Sequence, residues 1–249
     1  MVNTASRTCQ RNVLDYLSAN YLDWGANFED SAAMARDMLA RITSEKGWIA
    51  ALFSHAENEP LLRQKAETHQ LLDYVVLYDA LDRGIRLRLH LSTEDHLQRP
   101  HDHRFDFSTR ILCGSYEHCL ISPRQDPYSL SSEEHAIAYQ DKDHPDPRVK
   151  LKNSDFREMI VRHVSAGSTL SLSNKAVHTV NTAANTASLV LRGPARKVRS
   201  MIYDRAEETL WWRFSAEKEA PSRRQAKVMS NDKLQRTKRQ FEQLGLFDL

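Results

Sequence analysis

The chain is poor in cysteine: of 249 residues only Cys9, Cys113 and Cys119 carry thiols. Three scattered cysteines build no disulfide framework and fit no zinc pattern, so reduced thiols are expected. Long apolar runs are missing too. The longest span a few residues, such as Ile111-Leu112-Cys113, and none is long enough to cross a bilayer. The opening stretch, MVNTASRTCQRN, lacks the apolar core of a secretory signal, so a cytoplasmic location is expected. Charge of one sign is also lacking. With 35 basic and 33 acidic residues the formal charge is +2, which gives no global field for nucleic acid or membrane binding. The remaining character, 41% hydrophobic and 27% charged, is that of a globular protein long enough for a sizeable core.

Periodicity divides the chain. Up to residue 83 the pattern reads as helical: Val13, Leu14, Leu17 and Tyr21 form one stripe, and Asp30 is placed to cap a second carrying Met34, Ala35, Met38, Leu39 and Ile42. Trp48, Ile49, Leu52 and Phe53 mark a third helix. A fourth is expected after Pro60, through Leu61, Leu62, Leu71, Leu72, Val75 and Val76, ending near Gly84. From Gly84 the period becomes two. Ile85, Leu87 and Leu89 alternate with Arg86, Arg88 and His90, and further β-like runs follow at 105–112, 116–121, 159–164, 169–172, 177–180, 188–192 and 197–203. Such a series predicts a barrel or sandwich over 84–215, with residues 122–157 as a long polar insertion that holds an extra strand near 135–139. The tail, 216–249, is basic and carries a last helix capped by Ser230 or Asn231 and closed at Gly245. A solvated helix and one docked on a partner subunit are the two readings of that tail.

Nine of the 11 histidines lie at or after His90, which directs attention to the β region. His101 and His103, in Pro100-His101-Asp102-His103, are two apart, so on a strand both imidazoles project from one face. Two neutral nitrogens on one face can share a divalent metal. A second segment runs from Ala166-Gly167 through a polar strand to Asn174-Lys175-Ala176-Val177-His178.

Together the two segments resemble the cupin superfamily, whose motifs have the forms G-x5-H-x-H-x3,4-E-x6-G and G-x5-P-x-G-x2-H-x3-N. His101 and His103 match the first pair, Gly114 the closing glycine, Gly167 the opening of the second motif and His178 its histidine. The departures are Asp95 for the first glycine, Phe107 for the glutamate, Ser173-Asn174-Lys175 for the P-x-G turn, and Thr182 for the final asparagine, with Asn181 one residue early. The resemblance covers roughly 85–205. It implies a mainly β protein with α: a helical N-terminal region on a cupin barrel (a jelly roll, or double-stranded β-helix), then a C-terminal helix. It further implies a metal held by His101, His103 and His178. Without the glutamate this set resembles that of three-histidine iron cupins, the cysteine dioxygenase-like oxygenases among them. Fe(II) is therefore the expected cofactor, with Cu, Ni, Mn or Zn as alternatives, and a small substrate and dioxygen are the expected partners. A homodimer is expected by resemblance only.

Other candidates are weaker. Asp106, Glu94, Asp95 and His96 lie close enough in sequence to supply a further ligand, and Glu117 or His118 can face the cavity from the next strand. Arg192 is the preferred substrate-binding residue because it ends an apolar run at Gly193-Pro194, with Arg110, Arg99, Arg104 and Arg199 as others; a guanidinium binds carboxylate or phosphate in two-pronged fashion. Tyr116 and Tyr203 can donate a hydrogen bond to substrate or oxygen. Phe105, Phe107, Trp211 and Trp212 supply apolar walls or subunit contacts, and Cys113 and Cys119 read as buried small hydrophobes. The function expected is a non-haem metal oxygenase acting on a small polar, carboxylate-bearing substrate. The alternatives are a redox-neutral metallocupin (isomerase, lyase or hydrolase) and a non-catalytic ligand-binding cupin.

Overall fold

The computed structural model describes residues 4–69, 71–129, 136–137, 148–214 and 221–249. Helix α1 (Thr4–Ala19) buries Val13 and Leu17, while Tyr21 falls beyond its end and is exposed. Helix α2 (Phe28–Ser44) is capped by Asn27, which accepts from the Glu29 amide at 2.9 Å. Asp30, expected as the cap, lies instead in the first turn and takes a 2.8 Å bond from Asn27 Nδ2. Ala35, Met38, Leu39 and Ile42 are buried as expected; Met34 is exposed. Helix α3 (Trp48–Asn58) follows.

The fourth helix is where the expectation fails. Helix α4 (Pro60–Arg63) is a single turn, and strands β1 (Glu67–Thr68) and β2 (Asp73–Ala80) replace the rest. Leu71, Leu72, Val75 and Val76 are spaced like a helical stripe, but residues 73–77 are all buried, so no alternation betrays the strand. Its Tyr-Val-Val core is of a kind strands favour. Hence β2 forms a hairpin with β3 (Ile85–Ser92) through a turn closed by Gly84 at φ 75°.

The remaining strands are β4 (His96–Leu97), β5 (Phe107–Cys113), β6 (Ser115–Pro123), β7 (Ala136–Ile137), β8 (Arg148–Lys150), β9 (Phe156–Ser165), β10 (Thr169–Leu172), β11 (Val177–Thr182), β12 (Thr186–Arg192), β13 (Arg199–Asp204) and β14 (Thr209–Phe214). Strand β7 falls within the run expected at 135–139, the rest of which lies outside the described residues. Strand β14 was not anticipated.

One sheet has the order β1-β2-β3-β12-β5-β10, a second β4-β11-β6-β9, and a third β13-β14-β8-β7. Within the first two, β3-β12-β5-β10 faces β4-β11-β6-β9, every pairing is antiparallel, and the chain crosses repeatedly between the sheets. That is the eight-stranded order of a jelly roll. The protein is mainly β, with helices at both ends.

Each sheet has an outer cover. Leu87, Leu89, Leu189 and Leu191 of the first sheet belong to one core with Val13, Leu17, Leu39, Ile42, Leu52 and Phe53 of the helices. Helix α5 (Pro221–Lys227) precedes helix α6 (Asn231–Gln243), which is capped by Ser230 and adds Leu234 and Phe241, the latter edge-on to Phe53 at 5.9 Å. The basic tail therefore docks on its own chain. Cys119, Ile121 and Val177 of the second sheet pack against Met201, Tyr203, Leu210 and Trp212 of the third. Among the described residues no helix is long and apolar enough to cross a membrane.

Trp24 ties the helical layer to the jelly roll. It is buried, donates from Nε1 to Gly84 O at 2.9 Å, and lays its ring against Gly193, where an added Cβ would fall 2.4 Å from Trp24 Cδ1. Gly193→Ala is therefore expected to cost about 1–3 kcal/mol of stability through overpacking. Urea unfolding tests this, and an unchanged midpoint would remove Trp24 from that role.

Candidate metal centre

The segment around His101 is sewn between two sheets. His101 forms reciprocal backbone bonds with His178 of β11, both 2.9 Å, and also bridges Ile202 of β13. Tyr203 N reaches Pro100 O at 2.9 Å. Alternation then sends His101 and His103 one way and Asp102 the other, as the two-residue spacing predicts. Asp102 is 3% exposed and accepts from Lys197 Nζ at 2.5 Å, Tyr128 Oη at 2.7 Å and Met201 N at 2.9 Å. Lys197 also donates to Asn174 O at 2.6 Å, so one buried ion pair holds the first histidine segment against the turn that precedes His178. Burial raises the Asp102 pKa and lowers that of Lys197, in each case against the pull of the partner charge.

The structure brings His101, His103 and His178 together, one nitrogen of each lying within 4.8 Å of the others. His103 Nε2 and His178 Nε2 are 2.9 Å apart, a separation at which two imidazoles share either a proton or a cation. Two ligands can keep that spacing around one ion at metal–nitrogen distances of about 2.0–2.1 Å. The other ring nitrogens of two of them are engaged. His101 Nδ1 lies 2.8 Å from Arg99 O and must donate to it, which leaves Nε2 with a free lone pair. His178 Nδ1 faces His118 Nε2 at 3.0 Å; with Nδ1 as donor, His178 Nε2 is likewise free. Anchoring the distal nitrogen in this way is how proteins fix metal-binding imidazoles. Desolvation by burial pushes the pKa of His103 and His178 well below the usual imidazole value, and neighbouring imidazoles add to the effect. Burial also lowers His101, partly opposed by the Arg99 carbonyl, and takes His118 down to about 4. The set is thus neutral, with lone pairs available to a cation.

Phe107, standing where the resemblance places a glutamate, sets its ring 4.8 Å from that of His103 and 6.5 Å from that of His178. Phe105 lies 5.5 Å from His103 on another side. Asp106 does not join the histidines. Its carboxylate accepts from Asn174 N at 2.6 Å and Arg196 at 3.1 Å, bracing the turn instead. Asp95 accepts from Ala184 N, His96 contacts Glu94 O, and Glu117 is exposed. His118, which the sequence places either facing the cavity, behind its ligands or at the surface, is buried and bonded to His178 across paired strands.

Several other expected residues are placed elsewhere. Arg110 pairs in register with Leu189, a residue of the helix-facing core, so it lies on the outer face and donates to Thr169 Oγ1 at 3.2 Å. Tyr203 packs outside the second sheet, with its hydroxyl donating to Leu151 O at 2.9 Å and Asn153 Oδ1 at 3.1 Å. Tyr116 sits in a small cluster with Ile111, Val164 and Val180, its hydroxyl bonded to Thr109. Neither hydroxyl is directed at the three imidazoles. Arg99 pairs with Asp204, and Arg199 stacks on Trp212. Trp211, Trp212 and Cys119 are buried, and Cys113 is half-buried with its thiol near Asn185 O. Arg192 is buried on the inner face, its guanidinium 4.2 Å above the Phe105 ring.

The fold and site define a jelly-roll protein with an internal histidine centre that can hold a metal ion. No family model matches the chain, and no curated protein matches it in sequence. Among solved structures it is similar to KdgF from Halomonas sp., at 11% identity and a TM-score of 0.32, over 52% of this chain and 86% of that one. An RmlC-like cupin from Desulfovibrio desulfuricans gives 12% identity and 0.30, over 50% and 84%. Hydroquinone 1,2-dioxygenase from Sphingomonas sp. TTNP3 gives 13% and 0.31, over 48% and 65%. The strand order, rather than these partial likenesses, defines the fold.

Removing the Asp102 carboxylate leaves the Lys197 ammonium and the Met201 amide without their buried acceptor. Asp102→Ala is expected to lower stability by about 1–3 kcal/mol. Chemical denaturation measures this, and a wild-type midpoint would show that the ion pair does not hold the segment.

Proposed function

We propose that the protein is a mononuclear non-haem oxygenase, with Fe(II) bound by His101, His103 and His178 and dioxygen activated beside a small anionic substrate. The observation that carries the reading is the convergence of three imidazoles, two of them 2.9 Å apart, on the inner side of the jelly roll. Fe(II), when bound, would supply the one-electron chemistry that dioxygen requires, and His101, His103 and His178 would hold it. The chain's own groups prepare the place. Arg99 O and His118 hold two of the imidazoles by their distal nitrogens, Phe107 and Phe105 exclude water from two sides, and Arg192 offers charge to a carboxylate-bearing or similar substrate.

A second reading has its own support. Three neutral histidines are also a catalytic zinc set, which would serve a redox-neutral reaction by polarising a carbonyl or a bound water.

Metal content and oxygen uptake, measured on protein purified without air and reloaded with Fe(II), test the proposal. The wild type is expected to bind close to one iron per chain and to consume oxygen with a member of a small-acid panel. His178→Ala should lose stoichiometric iron. His118→Ala, acting through His178, should weaken metal affinity about 10- to 100-fold while keeping the site. Iron retained equally by His178→Ala would sink the three-histidine centre. Turnover with zinc and no oxygen uptake would overturn the oxygenase and leave the redox-neutral reading.

A further inference from the structure

The polar side of strand β3 turns inward. Leu87 and Leu89 face the helices, so Arg86, Arg88 and His90 face the barrel interior, in register with Arg192, Val190 and Ser188 of β12. Val190 packs there with Phe107 and Leu172. Two guanidinium groups are thereby turned into the same interior that holds the histidines, Arg192 buried and Arg88 half-buried. Arg192 is 6% exposed; its one hydrogen bond is from Nη1 to Gly193 O at 3.0 Å, and its Nε is buried with no acceptor among the described residues. Arg88 Nε is orphaned in the same way, and its guanidinium lies 4.3 Å above the Tyr74 ring and 6.0 Å from the Phe105 ring. Neither arginine has an ion pair among the described residues.

The carboxylates nearby are already committed. Asp79 takes a two-pronged bond from Arg86, at 2.8 and 2.7 Å, and a third from Lys65 at 2.5 Å. Glu67 is bonded to His69 at 2.9 Å and to Tyr74. Among the described residues, Asp79 and Glu67 are thus paired with Arg86, Lys65 and His69, and Arg88 and Arg192 are left on this face without a carboxylate. Burying an unpaired charge or leaving a buried donor unmade is costly, and such a group calls for an explanation. Burial, with Arg88 and Arg86 adding to it, lowers the Arg192 pKa to about 8, the response of a cation that lacks its anion. His90 adds a third orphan: its Nε2 is buried without a partner, and its ring tilts against Tyr74 at 5.6 Å.

We propose that Arg88 and Arg192, which extend from neighbouring strands to the same Phe105 ring, form a recognition subsite for a doubly negative oxyanion head group, a phosphate monoester or a dicarboxylate. A dianion matches the two guanidinium charges left without a carboxylate, and its several oxygens match their unspent planar donors. Phe105 contacts both Arg192 and His103, so the rest of such a ligand would pass one aromatic ring to reach the histidine centre. The inference deepens the proposed function by naming the charge class of the substrate, and rests on that reading only for what happens at the histidines.

Calorimetric titration of the full chain with inorganic phosphate, malonate and acetate tests the subsite, with metal content measured on the same samples. Phosphate or malonate is expected to bind at least tenfold more tightly than acetate; the tighter of the two dianions identifies the head group. Arg88→Met and Arg192→Met should each weaken that binding at least tenfold with metal content unchanged. Arg88→Lys and Arg192→Lys, which keep charge but lose the planar fork, should fall between and serve if the methionine variants fail to fold. His178→Ala should lose metal yet still bind the dianion, which separates failure of the subsite from failure of the metal centre. Equal affinity for acetate, no dianion binding, or wild-type affinity in the folded arginine variants would overturn the proposal.

Discussion

The helical layer dictates what the inside of the jelly roll can be. Strands β3 and β12 have only two faces, and the helices claim the apolar one, packing Leu87, Leu89, Leu189 and Leu191 into the largest core of the molecule. The alternate residues must then point inward whatever their polarity. Arg86, Arg88, His90 and Arg192 are inside for this reason. A free-standing barrel would place its apolar residues there and its arginines in water. Here the layer of helices reverses the arrangement, and among the described residues the interior gathers arginines and imidazoles beside small apolar clusters around Phe107 and Ile111.

An interior of this kind is held together by polar contacts as well as by apolar packing. The His101–His178 backbone pair, the Asp102–Lys197 ion pair and the His118–His178 contact each cross between segments distant in sequence. The third sheet contributes from outside: Met201 N binds Asp102, and Ile202 bridges His101. The two-histidine segment is therefore fixed from both flanks, although it is not part of a regular strand.

Much of this was legible in the sequence, and what was not has identifiable causes. His101 and His103 declare a shared face through their spacing, and the run at 169–172 coincides with β10. Strand β2 was hidden because burial on both faces erases the period of two, leaving leucines and valines that imitate a helix. Asp106 and Tyr203 were attractive as chemistry, but each is consumed locally, by the Asn174 turn and by Leu151 and Asn153. His118 could be named only together with Glu117, since which of the two turns inward is decided by pairing with a strand 60 residues away. Arg88 was visible as one half of an alternation. Which half faces water depends on whether something covers the other, and that is a tertiary fact.

The wedge of Trp24 against Gly193 reaches further than stability. Gly193 supplies the one carbonyl that Arg192 binds, its own amide donates to Asp106 O at 3.0 Å, and Arg196, which pairs with Asp106, also donates to Trp24 O. An N-terminal indole thus packs behind the residue next to a guanidinium that faces the barrel interior. The helices and the barrel are for this reason not exchangeable parts. A barrel moved onto another scaffold would lose this indole, and with it the packing that fixes the backbone beside Arg192.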